Sequence, residues 1–329
     1  MDSVREAQRA LAVNFKVPSK SATESIQGKT LLVTGGASGF GEAIAAAFTN
    51  QPDTAAIIAD RDAARGAALE QTLREAGRSV KFVQVDVTDW DSITNLFRSA
   101  LVWLRETYKQ DRTLDHIVTC AGVTSEALDL APVQPDEFVN QKIESKPPTS
   151  RSIDISITGS LYTVTAAMRY GMGLHKAEED ASTRSDKSVT MLSSMAGYSG
   201  MRLQSDYTAS KWGVRGLFRS LLDDNEANSS PVRFNLVAPY FVATPLTESW
   251  IPYLQKIGIK LADIGDVEGA ALRFIGDKSI HGRAAGVWKG GAVDLGDDFG
   301  GGFGSDAMAE GIESDTIRQP TVWITKGRE

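Results

Sequence analysis

The stretch Lys29-Thr30-Leu31-Leu32-Val33-Thr34-Gly35-Gly36-Ala37-Ser38-Gly39-Phe40-Gly41 decides how the rest of the chain is read. Lys29–Val33 is a β-branched and leucine run of the kind that forms a short buried strand. The glycines follow at once, and an alanine-rich helix pattern continues to about Asn50. Glycines at a strand-to-helix turn let the backbone come close to a ligand. The helix that follows offers unsatisfied N–H groups and a positive dipole end to a pyrophosphate. Glycine clusters are common in turns, so it is the position between strand and helix that carries the reading.

Working outward, strand and helix patterns alternate. Ala55–Ala59 reads as a strand ended by Asp60, which lies 19 residues after Gly41. That is close to the separation expected of a carboxylate that binds an adenosine ribose. A helical run over 62–76 and a strand over 80–85 lead to Asp86-Val87. A helix over 89–108 leads to the strand Leu114–Thr119 and to Cys120-Ala121-Gly122. Helix periodicity over Ile153–Leu174 precedes the strand Ser188–Leu192 and Ser193-Ser194. A helix running to about Ala227, the strand Val232–Ala238 stopped by Pro239, a helix near Asp266–Phe274 and a strand near Ala284–Lys289 close the pattern.

This alternation predicts an α/β protein: a single doubly wound Rossmann domain with a parallel sheet of about seven strands and helices on both faces. The expected limits are an arm over 1–28, the domain over 29–296 and a glycine- and aspartate-rich tail over 297–329. Polar inserts at 140–152 and 176–187 read as surface loops. Residues 240–262 gather Tyr240, Phe241, Trp250, Ile251, Tyr253 and Leu254 between prolines. They read as a lid over an apolar substrate, with packing or a subunit contact as the plainer alternative.

Composition narrows the function. The 329 residues carry a net charge of −7, the wrong sign for a nucleic-acid footprint. Cys120 is the single cysteine, so no internal disulfide can form. No secretory h-region and no apolar run long enough to span a bilayer are visible, which sets the expectation of a cytoplasmic protein. His116, His175 and His281 are far apart, and the acidic tail matches no calcium loop, so no metal site is expected.

The chemistry centres on Tyr207-Thr208-Ala209-Ser210-Lys211, with Ser194 thirteen residues ahead of the tyrosine. On one helix, i,i+4 spacing puts Tyr207 and Lys211 on one face. An ammonium beside a phenol favours the phenolate and is expected to lower the tyrosine pKa towards working pH. Such a tyrosine exchanges a proton with a substrate oxygen that Ser194 can hold.

Taken together, Thr34-Gly35-x-x-x-Gly39-x-Gly41, Asp60, Asp86-Val87, Ala121-Gly122, Ser194, Tyr207-x-x-x-Lys211 and Pro239-x-x-Val242-x-Thr244 resemble the short-chain dehydrogenase/reductase family in order and spacing, from about Lys29 to Gly296. The resemblance implies a cofactor site made of Gly35, Ser38, Gly39, Phe40, Gly41, Asp60, Asp86, Val87, Ala121, Gly122, Tyr207, Lys211, Pro239, Val242 and Thr244. In it Asp60 selects NAD over NADP, and Val242 and Thr244 hold the nicotinamide carboxamide. It implies a catalytic set of Ser156, Ser194, Tyr207 and Lys211. Tyr207 transfers the proton, Lys211 binds the nicotinamide ribose and tunes the tyrosine, and Ser194 positions the reacting oxygen.

Three residues depart from the family pattern. Cys120 replaces a structural asparagine. Tyr240 replaces the glycine after Pro239. Ser156, in Asp154-Ile155-Ser156-Ile157-Thr158-Gly159, replaces the asparagine that holds a water linking the lysine to solvent. The 140–152 insert, the Pro239–Pro245 run and the Asp/Gly-rich ending are similar to fungal members of secondary metabolism. The expected function is an NAD-dependent oxidoreductase interconverting a secondary alcohol and a ketone on an apolar polycyclic or long-chain substrate, as a homodimer or homotetramer. The alternatives are a member turned to isomerisation or cyclisation, and a dinucleotide sensor without catalysis.

Overall fold

The first strand, β1 (Thr30–Thr34), lies in the middle of the sheet because both its faces are apolar; all five residues are buried. A computed structural model describes residues 13–15, 25–109, 112–124, 134–140, 147–148, 150–174, 186–227 and 231–295. The expected tail, most of the arm, much of both inserts and His175 lie outside the described residues. After β1 come α1 (Gly39–Phe48), β2 (Ala55–Asp60), α2 (Ala63–Glu75), β3 (Ser79–Gln84), α3 (Trp90–Tyr108), β4 (His116–Thr119) and the short α4 (Pro135–Val139). The segments Arg151–Ile153, Asp154–Thr158, Gly159–Ala166 and Ala167–Gly171 run on as one helix, α5, whose second and fourth segments are π-helical. Then follow β5 (Lys187–Leu192), α6 (Ser205–Ala227), β6 (Val232–Pro239), α7 (Ile251–Lys256), α8 (Ile264–Gly276), β7 (Ala284–Trp288) and β8 (Gly291–Asp294).

The strand order is β3-β2-β1-β4-β5-β6-β7-β8, and every neighbouring pair is parallel except β7 and β8. The doubly wound sheet expected from the sequence is therefore present, with an eighth strand added. That strand folds back through the turn Lys289-Gly290, where Gly290 takes φ 101, a region glycine enters without steric cost. Its sequence, Gly-Ala-Val-Asp, is too short and small to announce a strand. Its last residue, Asp294, holds the edge in place by accepting from Arg283 Nη2 at 2.7 Å and from Val13 N at 2.6 Å.

Alternate residues of each strand feed two apolar layers. Leu32, Ile57, Ile117 and Val189 meet Phe97 of α3, Val164 of α5 and Phe218 of α6. Leu31, Val33, Ile58 and Val118 meet Phe48 of α1 and Phe274 of α8 on the opposite face. α3 shows why these helices form: Ile93, Leu96, Phe97, Ala100 and Leu104 make one buried stripe, and Asp89 caps the first turn by accepting from Ser92 N at 2.9 Å. Burying a side chain the size of Phe97 is worth roughly 1.5–3 kcal/mol.

The amino edge of the sheet is closed by charge. Lys187 Nζ donates to Asp115 Oδ1 at 2.9 Å, and Arg233 forms a two-pronged pair with Asp186. His116 is a core residue bonded to Ser188 at 2.9 Å, and burial holds its pKa down to about 4, so the ring is neutral. Among the described residues no helix is long and apolar enough to cross a membrane.

Candidate active site

Strand order reverses between β1 and β4, and a cleft of about 390 Å³ opens at the carboxyl ends of the strands there. It takes Gly35, Ser38, Gly39 and Phe40 from the turn after β1, Asp60 from the end of β2, Asp86 and Val87 from beyond β3, and Ala121 and Gly122 from beyond β4. Thr244 enters from the loop after β6. These positions of the expected cofactor set share one cavity.

The floor of the cleft explains the glycines. Gly35 takes φ +66, and a Cβ there would lie 2.7 Å from the Ala121 backbone. At Gly41 a Cβ would lie 2.2 Å from Gly35 O, so the helix can start directly above the turn only if this residue has no side chain. Ser38 is the N-cap of α1 but makes no capping hydrogen bond, which leaves its hydroxyl and the dipole end of the helix facing the cleft. Asp60 is held by two backbone donors, Ala37 N at 3.1 Å and Asp62 N at 3.0 Å, so its carboxylate is fixed at the cleft wall. Asp86 accepts from Thr88 N at 2.9 Å and Thr88 Oγ1 at 2.7 Å, which lowers its pKa and keeps it ionised. A glycine cradle, a helix N-terminus and an acid at the far end fit a dinucleotide.

Ser156, Ser194, Tyr207 and Lys211 do not line this cleft; they adjoin it past Gly122, where α6 brings Tyr207 and Lys211 onto one face, with Lys211 Nζ 5.6 Å from the tyrosine ring centre. The hydroxyls of Tyr207 and Ser194 are hydrogen-bonded. Ser194 Oγ also donates to Pro239 O at 3.3 Å and accepts from Ala196 N at 3.2 Å. The neighbouring serine, Ser193, turns the other way and donates to Lys211 O at 3.0 Å, so Ser194 is the one that faces the tyrosine. Close approach of two helices completes the group. A Cβ at Gly213 of α6 would lie 2.3 Å from Ile157 of α5, so that glycine lets α5 lie against the helix carrying the lysine. As a result Lys211 Nζ and Ser156 Oγ both border the same spot beside Gly122, 3.5 Å and 3.9 Å from where its Cβ would be.

Ser156 sits in the first π-helical segment of α5, is buried, and its Oγ has no hydrogen-bond partner among the described residues. π-Bulges occur often at functional sites. An orphaned buried hydroxyl beside a buried ammonium is a place for a bridging water.

Some expectations need correction. The Tyr207 pKa is raised, not lowered: burial dominates, and the hydrogen bond with Ser194 only partly offsets it. The Lys211 ammonium does not offset this, and burial pulls its own pKa down to about 8. Val242 buries its side chain in the apolar core and pairs with Ala262 in a short bridge, so only its backbone can serve a ligand. Pro239 reaches the site through its carbonyl on Ser194. In the expected lid, Phe241 and Leu254 are packing residues at 8% and 1% exposure, while Tyr253 is exposed.

The cleft also includes residues that sequence reasoning missed, among them Arg61, Arg65, Thr88 and Arg151. Only Arg61, directly after Asp60, carried a signal of its own. Cys120 borders the cleft, and its sulfur accepts from Gly41 N; burial pushes its thiol up to about 12, so it is inert.

The chain is similar to known proteins over most of its length. The family profile described as short chain dehydrogenase matches residues 29–253. The chain is 32% identical to the 5'-hydroxyaverantin dehydrogenase of Dothistroma septosporum over 86% of this chain and 92% of that one. It is 31% identical to the NADP-dependent dehydrogenase M3 of a Phoma species over 80% of this chain and 76% of that one. The crystal structure of gox2181 superposes with a TM-score of 0.61 at 25% identity, covering 78% of this chain and 93% of that chain.

Proposed function

This chain belongs to the short-chain dehydrogenase family, and on that premise we propose that it is an NAD-dependent oxidoreductase interconverting a secondary alcohol and a ketone. The observation that carries the reading is the grouping of Ser194, Tyr207 and Lys211, with Lys211 Nζ beside Gly122 of the glycine-floored cleft. When bound, the nicotinamide ring accepts or supplies the hydride of the carbinol carbon. The chain's own residues do the rest. Ser194 Oγ holds the reacting oxygen. Tyr207 takes the hydroxyl proton in oxidation and returns it in reduction. Lys211 binds the ribose and passes protons to the tyrosine, and Ser156 supplies the second anchor of the relay beside Gly122. Ser38 and the start of α1 hold the pyrophosphate, and Asp60 holds the adenosine ribose.

The proposed substrate carries a large apolar ring system, and the similarity to a 5'-hydroxyaverantin dehydrogenase supports a secondary alcohol of secondary metabolism. Tyr240, Trp250 and Ile251, all partly exposed after β6, would bury such a ring system, and each Å² of apolar area removed from water is worth about 25 cal/mol. Exposed Leu161 on α5 and Trp212 on α6 support a homo-oligomer through that face.

A second reading has its own observation. Arg61 and Arg65 line the cleft beside Asp60, and guanidinium groups there would pair with a 2′-phosphate, favouring NADP. Absorbance at 340 nm with NAD and with NADP, across a graded set of secondary alcohols and their ketones, tests both. NAD reduction that grows with substrate size supports the proposal. A preference for NADP transfers it to the second reading, and no turnover with any pair refutes it.

A further inference from the structure

The loop after β6 carries a bonding pattern centred on one hydroxyl. Pro245, at the second position of Thr244–Thr247, presets a tight turn that Thr247 N closes on Thr244 O at 3.0 Å. The Thr247 side chain folds back into that turn. Its Oγ1 donates to Val242 O at 2.5 Å, with Thr244 O a second acceptor at 3.2 Å, and it accepts from Thr244 N at 3.1 Å. Thr244 Oγ1 lies 3.2 Å from the same oxygen. One hydroxyl thus ties together Val242 and Thr244, the residues expected to hold the nicotinamide carboxamide. Thr244 lines the cleft, and its Cβ and Cγ2 lie 3.6 Å from where a Cβ on Gly39 would be, so it abuts the glycine turn.

The direction of the bond between the two hydroxyls follows from their protons. A threonine hydroxyl has one proton and two lone pairs. Both carbonyls around Thr247 Oγ1 can only accept, so its single proton goes to one of them. None is left for Thr244. The bond between the hydroxyls therefore forms with Thr244 Oγ1 as donor, and with Thr244 N it fills the lone pairs of Thr247. The Thr244 hydroxyl has no other partner among the described residues. Its oxygen keeps its lone pairs for a ligand and has no proton to offer one.

We propose that Thr247 is a positioning residue of the cofactor site: by taking the Thr244 proton it makes Thr244 an acceptor, so the site selects a nicotinamide group that offers N–H donors and rejects one that brings only acceptors. The carboxamide NH2 matches this. A carboxylate in its place would set oxygen against oxygen, a mismatch that discriminates through repulsion. This rests on the dehydrogenase reading and deepens it. Thr247 acts through its neighbour, since Thr244, Pro245 and Leu246 line the cleft and Thr247 does not. The loop has other supports for its shape. Ala262 N donates to Phe241 O at 2.8 Å, and Val242 pairs with Ala262 in a short bridge.

Fluorescence titration of the wild type, Thr247→Val and Thr247→Ser compares the Kd of NAD with that of its deamidated analogue, nicotinic acid adenine dinucleotide. The 2′-phosphorylated pair takes their place if the wild type prefers NADP. The wild type should favour the amide by roughly tenfold or more, the scale of one hydrogen bond involving a charged group. In Thr247→Val the Thr244 proton is free to turn to the carboxylate, and the ratio should fall at least about threefold, chiefly because the analogue binds better. Thr247→Ser keeps the hydroxyl and should restore the wild-type ratio. A loop that merely loosened would weaken both dinucleotides together and leave the ratio unchanged, which overturns the inference. So does a wild type without preference, or a serine variant that behaves like the valine one. Each of these results leaves the dehydrogenase reading standing. A wild-type protein that binds no nicotinamide dinucleotide overturns that reading and this inference with it.

Discussion

Replacing Lys211 with methionine should make the cofactor-free protein more stable at neutral pH, and the gain should vanish as pH rises. The reason is the burial of the ammonium. Desolvation brings the Lys211 pKa from 10.5 to about 8. At about 1.4 kcal/mol per unit, holding the charge inside the fold costs on the order of 3 kcal/mol. Below pH 8 the amine is protonated in both folded and unfolded chains, and the whole cost is present. Between pH 8 and 10.5 the folded amine has lost its proton while the unfolded one keeps it. The unfolded state then binds more protons, and stability rises with pH. Methionine has similar length and no charge, but it forfeits the bond that Lys211 Nζ donates to Leu192 O at 3.2 Å. That loss offsets about 1 kcal/mol. The net expectation is a gain on the order of 2 kcal/mol at pH 7, reaching about zero near pH 10. Urea unfolding of both proteins, followed by the fluorescence of the six tryptophans, measures the difference at pH 7, 8.5 and 10. A gap that ignores pH, or a variant less stable than wild type at pH 7, would refute the reasoning. A confirmed gap would mean that the fold carries this lysine for its chemistry at a cost in stability.

Tyr207→Phe should cut turnover by at least about a hundredfold, the scale of general acid–base catalysis, while NAD still binds by fluorescence titration; retained activity would remove Tyr207 from its assigned role. Because burial raises the Tyr207 pKa above its usual 10, kcat/KM for alcohol oxidation should still be climbing at pH 10 while that for ketone reduction stays level up to there, and an oxidation profile that levels off near neutral pH would contradict the assignment. Asp60→Ser should shift preference from NAD towards NADP, because it removes the carboxylate that would repel a 2′-phosphate next to Arg61 and Arg65; an unmoved ratio of the two kcat/KM values counts against Asp60 as selector. Ser156→Ala should lower turnover and Ser156→Asn should keep or raise it, since the orphaned Oγ beside Lys211 is the relay anchor; a silent Ser156→Ala would take Ser156 out of the catalytic set.

The sequence by itself determined the features that rest on local rules. β1 and its glycine turn were legible because an all-apolar run, φ-positive glycines and an alanine-rich helix follow one another within a few residues. The Tyr207–Lys211 pair was legible because helical spacing alone puts both on one face. Asp60 could be placed because it ends a strand of the pattern, and Asp86 because it follows the next one.

What only the tertiary structure decided depends on contacts between distant segments and on what those contacts exclude. β8 exists because β7 and the Arg283–Asp294 pair hold it, not because its four residues favour a strand. The π-helical segment that carries Ser156 has no sequence signature, and it lies where Gly213 lets α5 approach α6 closely. Arg65 reaches the cleft from a helix whose start the pattern located but whose facing it did not, whereas Arg151 falls in the 140–152 stretch read as a loop, and α5 begins at it. The direction of the Tyr207 pKa was the sharpest case. From spacing alone the neighbouring charge of Lys211 should win, yet Lys211 is buried and Tyr207 partly so, and desolvation, which no linear pattern encodes, outweighs their attraction.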